Sequence, residues 1–341
     1  MPNAAVARPS SHRALVTGHF STVGDIEVLR QVEGMLGALG IAYAVSPLDQ
    51  DRVGMEPEWV GAATLNPADF THLIVVCGPY VRDYPAEYPE VLTRFRHCVQ
   101  IGVNLTMVAP LSEANPFDAL LERDSDRMAR PDLSFLHQPP RVPVIGLCLA
   151  RPQREYGSRQ RHDMAEERLR KLLRDAGVAV VELDTVLPRA SNDLGIGTAA
   201  EYESICARLD AVVTTRLHGA VLALKNGVPV LAVDAISGGD KITHQTQVLG
   251  WAESYILDRT TDEALADALR RCLDPEARRR AQDCAARARR LLAGYQTEFA
   301  EALEAQADVT RRPLMAPRRG RLSQLAARYR KWKRHRFPRP S

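Results

Sequence analysis

The amino-acid sequence predicts an α/β fold with parallel sheets, and three features of the chain carry that prediction. Short apolar runs rich in β-branched residues alternate with segments whose apolar residues recur at helical spacing. Glycine follows many of the helical segments and stops them. A length of 341 residues is enough for two domains with separate cores. Because strands and helices alternate through both halves, we expect two Rossmann-like, doubly wound domains.

The first half of the chain opens with a strand, a loop and a helix. Residues 14–17 form the predicted strand, and the loop 18–24 leads to a helix whose apolar spacing ends at Gly40. The loop lacks the spacing GxGxxG, so it does not indicate a dinucleotide site. Further predicted strands cover residues 73–76 and 103–108. Residues 118–128 read as a polar connection.

A proline-rich segment divides the chain. Residues 137–143 contain three prolines, which can continue neither a helix nor a central strand. We place the domains at residues 1–137 and 138–310, followed by a basic tail at residues 311–341. The second domain has predicted strands at residues 144–149, 178–183, 211–213 and 228–233. Its predicted helices cover residues 165–176 and 262–272, and a longer one runs from Pro275 to about Leu303.

Two strand-to-helix corners of the second domain carry cations. At the first, Arg216-Leu217-His218-Gly219 opens a short helix that Asn226-Gly227 stops. At the second, the turn Ser237-Gly238-Gly239 precedes a helix that opens with Asp240-Lys241. Helix N-termini carry unpaired N–H groups and the positive end of the helix dipole. The two adjacent corners therefore predict one anionic ligand.

The first corner carries a family resemblance. The string TTRLHGAVLAL, then GVPV, a lysine on the next helix and a closing LG resemble the C-terminal signature of the polysaccharide pyruvyl transferase family. Members of that family move the enolpyruvyl group of phosphoenolpyruvate onto sugar hydroxyls, usually closing a cyclic ketal. The resemblance implies two domains that face a cleft, similar to the two-domain GT-B glycosyltransferases. It also implies a phosphoenolpyruvate pocket at Arg216 and Leu217, with Arg216 as the anion clamp and His218 as the catalytic acid/base.

Two further cations are candidates for the same pocket. Lys241 opens the second helix, although a solvated surface lysine is an equal alternative. Arg151 lies just past the strand 144–149, at the carboxyl end where open α/β sheets bind ligands. The family pattern places an arginine directly after the strand leucine, whereas here Ala150 intervenes, so Arg154 competes with Arg151. His244 is ambiguous between the site and the surface.

The first domain resembles the acceptor side of the family. The pair Gly24-Asp25 is similar to the start of the family's first helix, and with His19 it forms a candidate acceptor site. The alternative for Asp25 is an acid favoured in the first turn by the helix dipole. Family members carry several glycines where this chain has Cys77-Gly78-Pro79, which indicates an altered acceptor or a weakened enzyme. Residues 132–136 resemble a family string, with Leu133 in place of its proline.

Two other functions compete with pyruvyl transfer. One is a nucleotide-sugar glycosyltransferase of the same architecture, for which Glu253 is the candidate residue that would grip the ribose. The other is a non-catalytic relative that acts as a binding protein. We expect no metal and no cofactor, with phosphoenolpyruvate as a co-substrate. The expected acceptor is a sugar of a cell-surface polysaccharide or its lipid-linked precursor.

The cysteines and the apolar runs of the chain limit the class of protein that it can be. Six dispersed cysteines without CxxC indicate buried thiols, neither a zinc site nor a disulfide framework. The first residues lack the apolar core of a signal peptide and no run is long enough for a membrane span, so we expect a cytoplasmic protein.

The basic tail dominates the charge of the chain. Residues 311–341 hold 12 of the 45 basic residues and none of the 42 acidic ones, which leaves residues 1–310 with a formal net charge of −9. Within the tail, Leu322, Leu325, Tyr329 and Trp332 recur at helical spacing. We expect no nucleic acid as a partner. The prediction is peripheral association with the inner face of the membrane, and the alternative is a solvated, disordered extension.

Overall fold

A computed structural model describes residues 12–81, 87–152, 154–187, 189–192, 194–239 and 241–305. The chain forms two compact units, Met1–Arg141 and Val142–Ser341. The division falls within the proline-rich segment 137–143. The basic tail at residues 311–341 lies outside the described residues.

The first unit contains a parallel sheet of five strands among its described residues, in the order β2-β1-β3-β4-β5. Its helices connect these strands or follow them. The elements in chain order are β1 (Arg13–Gly18), α1 (Val23–Ala38), β2 (Ala42–Pro47), β3 (His72–Tyr80), α2 (Glu87–Arg94), β4 (Val99–Met107), α3 (Leu111–Ala114) and β5 (Ala119–Leu121).

The second unit repeats this plan. The sheet in its described residues has five parallel strands in the order β10-β9-β8-β6-β7. The elements in chain order are β6 (Val144–Cys148), α4 (His162–Asp175), β7 (Ala179–Leu183), α5 (Ala199–Cys206), β8 (Ala211–Thr214), α6 (Leu217–Lys225), β9 (Val230–Asp234), α7 (Lys241–Leu249), β10 (Ser254–Ile256), α8 (Asp262–Cys272), α9 (Ala277–Leu291) and α10 (Tyr295–Leu303).

Both sheets have one strand order. If the strands of each unit are counted from its own first strand, the spatial order is 2-1-3-4-5 in both. In this doubly wound order the chain reverses direction across the sheet between the first and third strands, and ligands bind at the carboxyl ends of those two strands. The prediction of two Rossmann-like α/β domains is therefore confirmed, and the topology places candidate sites beyond β1/β3 and beyond β6/β8.

Apolar packing covers the two sheets. One continuous core fills the second unit, and its largest buried side chains include Ile145, Leu147 and Leu224. Two separate clusters pack in the first unit, one around Leu15 and Tyr88 and the other around Val28–Leu29. All six cysteines are buried and free, as their dispersed spacing predicts. Among the described helices, none is both long enough and apolar enough to cross a membrane.

Several predicted elements differ from the structure. The helix predicted from Pro275 to Leu303 is two helices, because α9 ends at Leu291 and α10 starts at Tyr295. Its apolar face is buried only in α9, and the large apolar side chains between Leu291 and Leu303 are exposed. The polar connection predicted at residues 118–128 contains the short edge strand β5. Strand β3 continues through Cys77-Gly78-Pro79 to Tyr80, with Cys77 and Gly78 both at positive φ.

Candidate functional site

The corner between β8 and α6 is tied to the neighbouring strand β6. Thr214, the last residue of β8, donates its hydroxyl to the carbonyl of Cys148 at 2.6 Å and accepts the backbone N–H of Arg216 at 2.9 Å. The hydroxyl of Thr215 accepts the N–H of Ala150 at 2.7 Å. The exits of β6 and β8 are thus fastened together at the point where the sheet order reverses.

Helix α6 starts with free backbone donors. Arg216 is its N-cap and supplies no side-chain cap. Within the part of the chain that the structure describes, the N–H groups of residues 217–219 have no acceptor. Gly219 lets this turn approach the sheet, because a Cβ there would lie 2.4 Å from the Thr214 hydroxyl oxygen. The N-terminus of α6 can therefore donate hydrogen bonds to an anion.

The guanidinium of Arg216 is held from two sides. Its Nε donates to the carbonyl of Leu149 at 2.7 Å, and its Nη2 pairs with Oδ1 of Asp184 at 3.1 Å. A longer contact of 3.4 Å joins Nη1 to the hydroxyl of Thr185. The Arg216 side chain is 16% exposed and that of Asp184 is 12% exposed. Arg216 is therefore a largely buried cation with a fixed orientation.

The end of β9 and the start of α7 form the opposite side of the site. Asp234, the last residue of β9, is buried and accepts hydrogen bonds from Ile236 N at 3.1 Å and from the Thr243 hydroxyl at 2.9 Å. These bonds tie the turn 235–239 to the first turn of α7. The ammonium of Lys241 lies 5.4 Å from the ring centroid of Tyr156, within the range of a cation–π contact.

One cavity of about 170 Å³ joins the two corners. Its lining combines the cations Arg216 and Lys241 with His218 and the buried carboxylate of Asp234. Residues at the ends of β6, β8 and β9 also line it. The full lining is Ala150, Tyr156, His162, Thr185, Thr215, Arg216, Leu217, His218, Asp234, Ala235, Ile236, Lys241 and Ile242. The cavity thus sets two cations and the free N–H groups of α6 around one space, and these oriented donors suit an anion.

The sequence-predicted residues of the second unit mostly meet in this cavity. Arg216, Leu217, His218 and Lys241 all line it, and His218 is exposed at the second position of α6. Arg151 lies in a neighbouring depression with acidic neighbours that include Asp163 and Glu166. That depression shares Ala150 and His162 with the cavity. The competing side chain of Arg154 lies outside the described part.

Two other candidates lie elsewhere. His244 is exposed on α7 and does not line the cavity. Glu253, the candidate ribose ligand, is buried and pairs with Arg271 at 2.9 Å. It also accepts the hydroxyl of Tyr255 at 2.7 Å. These contacts occupy Glu253 within its own unit.

In the first unit, Asp25 closes the N-terminus of α1. Its carboxylate accepts the N–H of Thr22 at 2.8 Å, and the Thr22 hydroxyl accepts the N–H of Asp25, which is a capping box. The thiol of Cys77 donates to the other carboxylate oxygen at 3.1 Å. These contacts agree with the helix-capping alternative, while the acceptor role of Asp25 stays a prediction.

His19 and Gly24 flank that cap on the exit of β1. The ring of His19 meets Tyr88 edge to face at a centroid distance of 5.6 Å, and its Nε2 is buried without a hydrogen-bond partner. Gly24 is exposed in the first turn of α1. The structure thus brings His19, Gly24 and Asp25 to the carboxyl end of β1.

Sequence reasoning missed three residues of the second-unit site. Asp184 follows β7 and holds Arg216, His162 begins α4 and lines the cavity, and Tyr156 lies against Lys241. The one available signal was position, because Asp184 directly follows a predicted strand at the carboxyl edge of the sheet. Among the described residues, no group of three or more metal-ligating side chains occurs.

Comparison with known proteins matches a segment that holds most of the residues lining the cavity. Residues 152–235 match the model of the polysaccharide pyruvyl transferase family. The resemblance is confirmed there. The matched segment includes Asp184 and Arg216–His218, whereas Lys241 and the whole first unit lie outside it. A comparison with curated protein sequences gives no significant match.

Solved structures show distant likenesses over most of the chain. The glycotransferase of kitacinnamycin is 12% identical, with 86% of this chain and 99% of that chain covered and a TM-score of 0.30. The spinosyn rhamnosyltransferase SpnG is also 12% identical, with coverages of 84% and 100% and a TM-score of 0.34. The UDP-GlcNAc 2-epimerase from Methanocaldococcus jannaschii is 9% identical, with coverages of 83% and 100% and a TM-score of 0.29. The assignment of the fold rests on the strand order described above.

The ion pair between Asp184 and Arg216 gives a stability prediction. In a double-mutant cycle with alanine at each position, we expect a coupling energy of about 1–3 kcal/mol, because each single variant leaves a largely buried charge unpaired. The matched control is the exposed pair Lys171–Asp175, for which a much smaller coupling is expected because solvent screens the two charges. Urea unfolding at pH 7 measures both cycles. Equal coupling in the two pairs would contradict a structural role for Asp184.

Proposed function

We propose that this chain is a pyruvyl transferase, which moves a pyruvyl group from phosphoenolpyruvate to a sugar of a cell-surface polysaccharide or its lipid-linked precursor. The observation that carries the proposal is the cavity around Arg216 and His218, because both residues and most of the cavity lining belong to the segment that matches the family model. The cations, free helix donors and exposed imidazole of this cavity suit both the binding and the chemistry of that donor.

The donor has two anionic groups close together, a carboxylate and a phosphate. Arg216 presents a planar fork of donors that suits either group, and its ion pair with Asp184 orients it before the ligand arrives. The N–H groups of residues 217–219 supply further donors at the N-terminus of α6. Lys241 adds a second positive charge from the other side of the cavity. This set needs no metal ion to hold the donor.

The reaction requires balanced proton transfers. The methylene carbon of phosphoenolpyruvate gains one proton and becomes a methyl group, while two sugar hydroxyls each lose one. Two new C–O bonds form at the central carbon, the bond from that carbon to the phosphate oxygen breaks, and inorganic phosphate leaves with the second proton. We assign these proton transfers to His218, and the support for this role is that the residue lines the cavity and is exposed to solvent.

For the acceptor we propose the first unit. His19, Gly24 and Asp25 lie at the carboxyl end of β1, beside the strand-order reversal between β1 and β3. The buried Nε2 of His19 has no partner among the described residues, so it is available for a hydrogen bond from a saccharide hydroxyl. Asp25 would contribute through the position of the α1 N-terminus that it caps.

Donor choice is tested by ligand-induced stabilisation. We expect phosphoenolpyruvate to raise the melting temperature more than a UDP-sugar does, and to do so in the presence of EDTA, because the proposed clamp is made of protein cations and N–H groups. At a ligand concentration of 100 Kd the expected stabilisation is about 2.7 kcal/mol.

The same measurement separates the alternatives. Stabilisation by a UDP-sugar without stabilisation by phosphoenolpyruvate would favour a nucleotide-sugar glycosyltransferase. Binding of phosphoenolpyruvate without phosphate release, across a panel of saccharide acceptors, would favour a non-catalytic relative.

The acid/base role of His218 gives a kinetic prediction. His218→Ala should lower kcat by about 10²–10⁴-fold, because a positioned acid/base group contributes that much to a proton-transfer step. The melting temperature should stay close to that of the wild type, since the ring is exposed and makes no hydrogen bond among the described residues. His244→Ala is the matched control, an exposed histidine of the same unit outside the cavity. Near-normal turnover in His218→Ala would remove this residue from the mechanism.

We also propose that residues 311–341 hold the protein at an anionic membrane surface. This segment has 12 basic residues, no acidic ones, and apolar residues at helical spacing that can lie in the membrane interface. Deletion of this tail should abolish salt-sensitive binding to vesicles that contain phosphatidylglycerol, and it should leave turnover of a soluble acceptor nearly unchanged. Full-length protein that does not sediment with such vesicles at low salt would refute the proposal.

A further inference from the structure

His162 stands apart from the other polar side chains around the cavity. It is the first residue of α4 and only 7% exposed. Backbone bonds hold the segment before it against the end of β9, because Arg161 N donates to Ala235 O at 2.7 Å and Ser237 N donates to Arg159 O at 2.8 Å. The backbone at the start of α4 is therefore held in place, and His162 lines both the cavity and the depression around Arg151.

Both ring nitrogens of His162 are buried without a hydrogen-bond partner. Such groups are uncommon, because a buried polar atom loses its water without a compensating bond. Within the described part of the chain, other buried side-chain atoms of this kind occur on His19, Ser46, Tyr88 and Tyr202. None of those four lines the cavity, whereas His162 does. A ligand in the cavity would remove this cost.

The surroundings of His162 favour the neutral ring. Burial lowers its pKa, and the nearby charge of Arg216 lowers the pKa further, while the carboxylates of Asp163 and Asp234 act in the opposite direction. A neutral imidazole has one N–H donor and one acceptor nitrogen. It can therefore donate to an oxyanion without adding a second buried cation beside Arg216.

We propose that His162 is a donor-binding residue, whose ring N–H hydrogen-bonds an oxyanion of the bound phosphoenolpyruvate beside Arg216. This inference rests on the proposed function, and it adds a second histidine to the proposed donor site. His218 and His162 then have different tasks in one cavity. The exposed ring of His218 exchanges protons, and the buried ring of His162 fixes the anion.

The test compares His162→Phe with His162→Gln in the full-length protein. Phenylalanine keeps a planar ring but has no hydrogen-bonding atoms, and glutamine keeps an N–H donor. We expect His162→Phe to weaken binding of phosphoenolpyruvate at least about tenfold by calorimetry and to raise its KM with little change in kcat, since a hydrogen bond to a charged group is lost. His162→Gln should recover most of the affinity, and His244→Phe should bind as the wild type does.

The ligand-free proteins give a second measurement. His162→Phe should melt at or above the temperature of the wild type, because the substitution removes two unsatisfied polar atoms from a buried position. In the wild type, the side-chain ¹⁵N resonances of His162 should move when phosphoenolpyruvate or inorganic phosphate is added. These readouts distinguish ligand binding from a role in packing alone.

The outcomes separate this inference from the proposed function. Wild-type protein that does not bind phosphoenolpyruvate overturns the proposed function, and this inference falls with it. Wild-type binding together with equal affinity in His162→Phe overturns the inference alone, as do ¹⁵N resonances of His162 that do not respond to ligand. A loss of affinity in His162→Phe that glutamine restores supports it.

Discussion

The site depends on how closely α6 approaches the end of β8. The hydroxyl of Thr214 bridges Cys148 and Arg216, and Gly219 leaves it the room to do so. A side chain at residue 219 would force the first turn of the helix away from the sheet. Arg216, the free N–H groups and His218 all belong to this turn, so one steric condition sets the position of the proposed donor clamp.

The two largely buried charges that line the cavity, Arg216 and Asp234, have partners before any ligand binds. Arg216 is paired with Asp184, and Asp234 is occupied by the backbone and hydroxyl of the next turn. Affinity for an anion would then come from donors that are already oriented, more than from a large surplus of positive charge. Such a site would distinguish ligands by the geometry of their oxygens, and a mobile lysine cluster would not.

Much of the helix and strand pattern could be predicted from local sequence. Glycine after an apolar helical segment predicted the ends of α1 and α4, and the bounds of α8 agree with the prediction. The corner at Arg216 was predictable because a buried strand, two threonines and a glycine-stopped helix follow one another directly. These features depend on neighbouring residues and are visible in a single sequence.

Features that depend on distant residues were not predictable. Nothing near Asp184 or His162 in sequence shows that one meets Arg216 and the other has no partner, because both facts depend on how separate loops meet. The edge strands β5 and β10 are three residues long, too short for an alternating pattern. The break before α10 was missed because the apolar spacing continues across it, although those side chains are exposed.

The strand order of each sheet has a consequence for how the chain folds. The central pairings join segments far apart in sequence, since Ala14 pairs with His72 and Ile145 pairs with Ala211. Each pairing closes a long loop that contains an edge strand and at least one helix. The chain therefore loses conformational entropy on closing the loop before most contacts within the loop can form. The proposed donor corner lies on the second of these pairings. Its geometry therefore requires this pairing, because Thr214 and Arg216 bond to the carbonyls of Cys148 and Leu149 at the end of β6.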